Sequence, residues 1–198
     1  MNGQAKLTCS SLPGTAILKD GTTVEIAAPG EEARSLLLSL FSKLSLDTVL
    51  LRFLRPIKYW EPVVDDILSN ARLVIVGLRD GEAVASIEAY DTGIRGIAEL
   101  GIVVRDDLQG RGLGTTLTAL LALCLLGNGY KAVEAYFDPS NIPMRRIMVD
   151  KLGGRVVGYG RDMVFTRLDL EPNRERILSV LCSRYRPSRG QLTAPGES

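Results

Sequence analysis

The stretch VRDDLQGRGLGT, from Val104 to Thr115, decides the fold because it joins a strand pattern to a helix pattern. A β-branched apolar run precedes it, and an apolar helical pattern follows it from about residue 112 to residue 126. A glycine-rich junction of this kind leaves backbone amides free, and the amides and dipole of a helix N-terminus attract an anion. The stretch therefore predicts a phosphate-binding junction.

The spacing of the glycines separates this junction from two common nucleotide motifs. It reads Q-x-x-G-x-G, with Gln109, Gly112 and Gly114 at the fixed positions. Dinucleotide folds use G-x-G-x-x-G, and P-loops end in Gly-Lys-Ser or Gly-Lys-Thr, which this stretch lacks. The spacing excludes both motifs. The remaining alternative to a phosphate site is a glycine-rich tight turn with a solvated Arg111.

Composition limits the class of protein and its partners. The chain has 198 residues, of which 45% are hydrophobic and 24% charged, and its net charge is +1. These values are ordinary for one globular domain. The charge balance gives no reason to expect nucleic acid, and no apolar run approaches the ~20 residues of a membrane-spanning helix. We therefore expect neither a nucleic-acid nor a membrane partner.

Cysteine and histidine usage limits the chemistry. Cys9, Cys124 and Cys182 lie far apart without metal-ligand spacing. An odd count without a signal peptide predicts free thiols in a cytoplasmic protein and no metal site. The chain contains no histidine, which excludes histidine-dependent triads and histidine-ligated metals. Any general base must be a carboxylate, a tyrosine, a lysine or water.

Hydrophobic periodicity predicts an α/β chain (α+β) with a mixed sheet. We expect a mobile N-terminal segment at 1–14, a single domain at 15–170, and a C-terminal helix with a disordered tail at 171–198. The amphipathic stretch from Asn173 to Tyr185 has two alternatives: it packs on its own domain, or it packs on a second subunit in a homodimer.

Glu99 is the strongest candidate for a catalytic group. It stands in an otherwise apolar strand pattern, where an unpaired carboxylate is costly. A carboxylate of raised pKa, or a water that it orders, can take a proton from a substrate at neutral pH. A symmetric hairpin over residues 91–96 would place Glu88 opposite Glu99 and raise one pKa. The alternative is a solvated Glu99 on an open sheet face.

The junction resembles the pyrophosphate loop of the GNAT N-acetyltransferase superfamily, Q/R-x-x-G-x-G/A after a strand. The segment from Ala98 to Gly114, AELGIVVRDDLQGRGLG, is most similar to the bacterial and archaeal protein lysine acetyltransferases, which place their base where Glu99 falls. The resemblance covers about Thr22 to Leu168. It implies a mostly antiparallel sheet of six to seven strands flanked by helices, acetyl-CoA as co-substrate, and protein lysine as acceptor.

The same resemblance implies the contacts with coenzyme A. The strand end would pair with the pantetheine arm, and the loop amides would take the pyrophosphate; these residues are Ile102, Val103 and Val104, and Gln109, Gly110, Arg111, Gly112, Leu113, Gly114 and Thr115. Asn141 begins a later helix, and it either contacts the pantetheine or caps that helix. Arg145 or Arg146 would meet a phosphate of coenzyme A.

One position departs from the family pattern. Many GNAT enzymes carry a tyrosine acid seven residues after this asparagine, where the present chain has Met148. The acid is therefore unassigned, with Tyr136 and solvent as candidates. The sequence predicts an acetyl-CoA-dependent N-acetyltransferase that acetylates protein lysines by direct attack of the amine. The alternatives are a small-molecule amine acetyltransferase and a catalytically silent acyl-CoA-sensing module.

Overall fold

The described residues, 7–188 of the computed structural model, form nine strands and six α-helices. The strands are β1 Gly14–Ile17, β2 Thr23–Ala27, β3 Leu73–Arg79, β4 Glu82–Asp91, β5 Ile97–Val104, β6 Ala132–Phe137, β7 Arg155–Tyr159, β8 Val164–Asp169 and β9 Tyr185–Pro187. The helices are α1 Ala33–Ser42, α2 Leu46–Phe53, α3 Glu61–Asn70, α4 Leu113–Gly127, α5 Ile142–Arg145 and α6 Arg174–Arg184. Part of the predicted mobile segment (residues 1–6) and most of the predicted disordered tail (residues 189–198) lie outside the described residues.

All nine strands belong to one sheet, in the order β7-β8-β6-β5-β4-β3-β2-β1-β9. Neighbouring strands are antiparallel except β5 and β6, which are parallel. The predicted α/β class with a mostly antiparallel sheet is confirmed, with nine strands where six to seven were expected. The strands beyond the predicted number are β1, with four residues, and β9, with three. Strands this short do not produce a recognisable alternation of apolar and polar residues.

Helices cover both faces of the sheet. On one face lies α4, which is apolar on nearly every side and is buried between the sheet and α6. On the other face α1 and α3 pack through a cluster that includes Leu37, Phe41 and Val64, and α2 lies near β5. No helix among residues 7–188 is both long and apolar enough to cross a membrane.

The C-terminal segment packs on its own domain. Ile177 and Leu181 of α6 are fully buried in the cluster that contains α4. The chain then adds β9 to the sheet beside β1, and the buried Tyr185 hydroxyl donates to the Ser11 carbonyl over 2.5 Å. Of the two alternatives for this stretch, the structure shows the intramolecular one.

The cysteine prediction was wrong for two of the three residues. Cys9 and Cys124 form a disulfide, with their Cα atoms 5.0 Å apart, and Cys182 alone is free and exposed. The pair is 115 residues apart in sequence, so only the tertiary contact between the N-terminal segment and α4 brings the two thiols together. The expectation of free thiols therefore gives no argument for a cytoplasmic location.

The helix predicted after Asn141 is present but irregular. α5 is one short α-helical turn that continues as a π-helical segment, Arg146–Lys151. π-helical turns insert a residue into a helix and occur often at functional sites. Here the segment forms one wall of the cleft described next.

Candidate active site

β5 and β6 pair only at their beginnings and then separate. Their last pair is Glu99 with Glu134. Beyond it β5 continues to Val104 and β6 to Phe137, with no further pairing between these two strands. Strand backbone without a neighbouring strand keeps amides and carbonyls free for another partner. The far half of β5 therefore offers backbone hydrogen bonds to an extended ligand.

A cleft of about 530 Å³ opens beside this half of β5. Nine of the residues predicted to hold coenzyme A line it: Ile102, Val103, Val104, Gln109, Gly110, Gly112, Gly114, Thr115 and Asn141. They come from two separate places in the chain: the continuous stretch from the end of β5 to the start of α4, and the start of α5. The tertiary structure thus brings together most of the site that the sequence predicted.

The glycine junction ends in an open helix N-terminus. Gly112 is the N-cap of α4 with φ +99°, a left-handed conformation that favours glycine, and no side chain caps the helix. The first amides of α4, on Leu113, Gly114 and Thr115, have no carbonyl partner within the helix. A side chain at Gly114 would approach Ile147 at 3.3 Å. Small residues thus keep these amides accessible to an anion.

The charged side chains that line the cleft are all cations. Lysine and arginine are present without any aspartate or glutamate: Lys19, Arg52, Arg146, Lys151 and Arg184. Sequence analysis singled out only Arg146 among them. The others come from the β1–β2 turn, α2, the π-helical segment and α6, so no local motif could have grouped them. A cleft with five cations is suited to a ligand with several phosphates.

Glu99 lies half-buried where β5 and β6 separate. Burial raises the pKa of its carboxyl; the nearby Arg52 opposes this rise and the neighbouring carboxylate of Glu134 adds to it. A carboxylate of raised pKa binds a proton more readily than an ordinary glutamate. Glu99 does not itself line the cleft, but it shares a strand face with Val103, which does.

The predicted pairing of Glu88 with Glu99 was wrong by two residues. Glu88 pairs with Gly101, and Tyr90 faces Glu99. The connection is an asymmetric turn, because strand pairing persists to Asp91 and the Ile97 amide bonds to the Ile94 carbonyl. The second carboxylate beside Glu99 comes from the other neighbouring strand, as Glu134. Glu88 is instead fully buried and bonded to Arg52 over 2.6 Å.

Comparison with known proteins identifies the family. A family model described as the acetyltransferase (GNAT) family matches residues 44–154, which is more than half of the chain. The chain belongs to the GNAT acetyltransferase family. A comparison with curated protein sequences found no significant match.

Solved structures of GNAT proteins share the fold. The GNAT domain of S. lividans PAT superposes with a TM-score of 0.73 at 20% identity, covering 82% of this chain and 99% of that domain. The ribosomal-protein-S5-alanine acetyltransferase of Vibrio fischeri has a TM-score of 0.62 at 10% identity, covering 75% and 93%. YncA of Salmonella typhimurium, whose structure contains its cofactor acetyl-CoA, has a TM-score of 0.57 at 18% identity, covering 76% and 95%.

The co-substrate of this GNAT acetyltransferase is acetyl-CoA. The described residues fit such a ligand, because the cleft combines a strand edge without a strand partner, free helix amides and cationic side chains. Within residues 7–188 there is no group of three or more acidic or cysteine side chains that could hold a metal ion.

Three of the residues predicted for coenzyme A lie outside the cleft lining. The Arg111 guanidinium bonds to the Asp20 carboxylate over 2.7 Å, Leu113 is buried in the core, and Arg145 is exposed. Of the two alternatives after Asn141, Arg146 lines the cleft and Arg145 does not. The helical turn directs Arg146 and not Arg145 toward the cleft, and sequence spacing alone could not distinguish the two arginines.

Two predicted side chains also brace the site. The Gln109 amide donates to the Val104 carbonyl over 2.9 Å and to the Thr48 hydroxyl over 3.0 Å, which connects the junction to the end of β5 and to α2. The side-chain oxygen Oδ1 of Asn141 accepts a hydrogen bond from the Met144 amide over 3.1 Å, so Asn141 caps α5 while also lining the cleft. The capping alternative for Asn141 is confirmed.

The general-acid position of related enzymes is occupied by a core residue. Met148 is fully buried. Tyr136 donates its hydroxyl hydrogen to Glu134 over 2.8 Å, and burial, reinforced by that bond, raises the pKa of Tyr136 to about 12. Tyr136 is thus protonated at neutral pH, but its proton is engaged by Glu134.

Proposed function

We propose that this GNAT acetyltransferase acetylates the side-chain amines of lysines in protein substrates by direct attack, with Glu99 as general base. The observation that carries the base assignment is the place of Glu99: a half-buried carboxylate of raised pKa where β5 and β6 separate. The acceptor class is supported by the segment from Ala98 to Gly114, which resembles that of protein lysine acetyltransferases.

The cleft residues divide the work of holding the co-substrate. Acetyl-CoA supplies an acetyl thioester. The free edge of β5 from Ile102 to Val104 would hold the pantetheine arm, and the first amides of α4 would hold the pyrophosphate. Arg146 and the other lining cations would offset the remaining phosphate charge. This arrangement fixes the position of the thioester relative to β5.

Glu99 supplies the proton acceptor for the incoming amine. The C–N bond forms as the C–S bond breaks, the amine proton passes to Glu99, and the sulfur leaves as a thiolate that solvent protonates. Glu99 is three residues before Ile102, or about 10 Å along the strand. The amine proton would pass to the carboxylate directly or through a water that Glu99 orders.

Mass spectrometry tests the reaction and the acceptor together. The protein is incubated with isotopically labelled acetyl-CoA and a lysate of the source cell, and in parallel with a panel of small amines. We expect labelled lysines in lysate proteins. Labelled small amines without labelled lysines would overturn the protein-acceptor proposal. Coenzyme A binding without any labelled product would instead support a silent acyl-CoA-sensing module.

A Glu99→Gln variant tests the base. Gln keeps the size of the side chain but cannot accept the proton, so we expect turnover to fall by roughly 10²–10⁴-fold. Glu25→Gln, on the exposed face of β2, is the matched control and should keep full turnover. Equal turnover of wild type and Glu99→Gln would remove Glu99 from the mechanism.

A further inference from the structure

Arg184, the last residue of α6, lies over the N-terminus of α4. The position that a Cβ would take at Gly112 is 3.3 Å from Nη1 of Arg184 and 3.6 Å from its Cζ. Arg184 also lines the cleft, together with Val180 and Ser183 from the same helix. The C-terminal helix thus contributes a cation to the junction where the first amides of α4 are free.

This placement is electrostatically unfavourable by itself. The N-terminus of a helix carries a partial positive charge, and a guanidinium beside it is repelled. No ion pair or side-chain hydrogen bond within residues 7–188 involves the Arg184 guanidinium. Asp20 bonds to Arg111 of the junction and Asp107 bonds to Arg105, so both carboxylates already have other partners. An anion at the junction would offset both positive charges.

The fold holds Arg184 in place from both sides. Leu181, three residues earlier, is fully buried, and Tyr185, the next residue, is buried and bonded to Ser11. The backbone of residue 184 is therefore positioned by the core and by the β1–β9 pairing, so only the side chain has to be ordered when it binds a ligand. Arg184 therefore places a positive charge beside the junction before any ligand binds.

We propose that Arg184 binds the pyrophosphate of coenzyme A from the side opposite the α4 amides, so that the C-terminal helix is part of the co-substrate site. The proposal rests on the proposed function, since it takes acetyl-CoA as the ligand of this cleft. A guanidinium donates two parallel hydrogen bonds to phosphate oxygens, which lysine cannot do. The C-terminal segment is then required for binding as well as for stability.

Calorimetric titration of coenzyme A and of 3′-dephospho-coenzyme A tests the proposal without any turnover. We expect Arg184→Gln to bind both ligands roughly 10-fold or more weakly than wild type, which corresponds to a lost charge-assisted hydrogen bond in a partly exposed site. The deficit should be equal for the two ligands, because both contain the pyrophosphate, and it should shrink as salt is raised. Arg184→Lys should recover part of the affinity.

Arg186→Gln is the matched control. Arg186 lies two residues later, is exposed, and bonds to the Cys182 and Tyr185 carbonyls outside the cleft. Its loss should leave both affinities unchanged. Arg184→Gln should also unfold at the same temperature as wild type or slightly above it, since it breaks no ion pair among the described residues and removes a charge that the α4 N-terminus repels.

The possible results separate this proposal from the proposed function. Equal affinities of wild type and Arg184→Gln for coenzyme A overturn the role of Arg184 and leave the acetyltransferase assignment intact. A deficit for coenzyme A that disappears with 3′-dephospho-coenzyme A overturns the pyrophosphate contact in favour of the 3′-phosphate. Wild-type protein that binds neither ligand overturns the proposed use of the cleft, and the Arg184 proposal with it.

Discussion

The Arg52 guanidinium of α2 donates to the fully buried carboxylate of Glu88 on β4 over 2.6 Å, crossing directly above Gly101 of β5. Glu88 and Gly101 are cross-strand partners, and a Cβ at position 101 would overlap the guanidinium. The ion pair therefore joins α2, which lines the cleft, to β4, the strand next to the one that carries Glu99. It also places a positive charge near Glu99, where it limits the rise in the pKa of that carboxyl.

Gly101→Ala should destabilise the protein through this ion pair. The added methyl group displaces Arg52 and leaves the Glu88 carboxylate buried without its charge partner, so we expect a loss of roughly 3–5 kcal/mol in the free energy of unfolding. Denaturant unfolding measures it. Gly158→Ala is the control, because its Cβ would meet only Phe165 at 3.8 Å, and it should change stability by less than about 0.5 kcal/mol. Equal losses in the two variants would contradict the prediction.

Glu134→Gln should move the acid limb of the pH profile of kcat/KM to lower pH. Glu99 must be ionised to accept a proton, so activity falls as pH drops through its raised pKa. Removing the Glu134 charge takes away one cause of that rise, while burial remains. The limb should therefore shift down without reaching that of an exposed glutamate. The Glu25→Gln control should leave the acid limb where it is in wild type. If the limb of Glu134→Gln also stays there, Glu134 does not affect the pKa of Glu99.

Glu99→Gln should raise the melting temperature near neutral pH. The pKa of Glu99 in the folded protein lies above its ordinary value of 4.5, so ionising this side chain costs folding free energy once the pH exceeds the ordinary value. Glutamine removes that cost. The gain should vanish below pH 4.5, where the carboxyl is protonated in both the folded and the unfolded state. A variant less stable than wild type at neutral pH would indicate that attraction to Arg52 outweighs burial.

Asn141 should have two separable roles. Asn141→Ala removes the cap of α5 and should cost about 0.5–2 kcal/mol of stability, whereas Asn141→Ser keeps a capping oxygen and should cost little. If the asparagine amide also contacts the pantetheine arm, both variants bind coenzyme A more weakly, because serine is too short to reach the cleft. Thermal unfolding and calorimetric titration measure the two effects. Normal affinity in Asn141→Ser would leave capping as the sole role.

Local sequence patterns were enough to predict the elements that carry the site. Hydrophobic periodicity predicted an α/β chain with a mixed sheet, and the apolar run after Gly112 predicted α4. The glycine spacing predicted an open helix N-terminus, and the structure places nine of the predicted coenzyme A residues in one cleft. These features depend on residues within a few positions of one another, so they can be read from the sequence.

Register and long-range pairing could not be predicted in the same way. The partner of Glu99 depended on the shape of the turn over residues 91–96, and an asymmetric turn moved Glu88 two residues away. The Cys9–Cys124 disulfide joins parts of the chain 115 residues apart, and no motif linked them. A small change in turn geometry shifts the register and so changes every cross-strand pair. Such pairs therefore depend on the tertiary structure.

By itself, then, the sequence determined the α/β class, the anion-binding junction at Gly112 and the isolated carboxylate at Glu99. The tertiary structure alone decided which other groups surround them: Glu134 beside Glu99, and Lys19 and Arg184 at the cleft. The physical reason is range. Strand alternation and helix capping act over a few residues, whereas the charges that set a pKa or attract a phosphate act through space, between segments that only folding brings together.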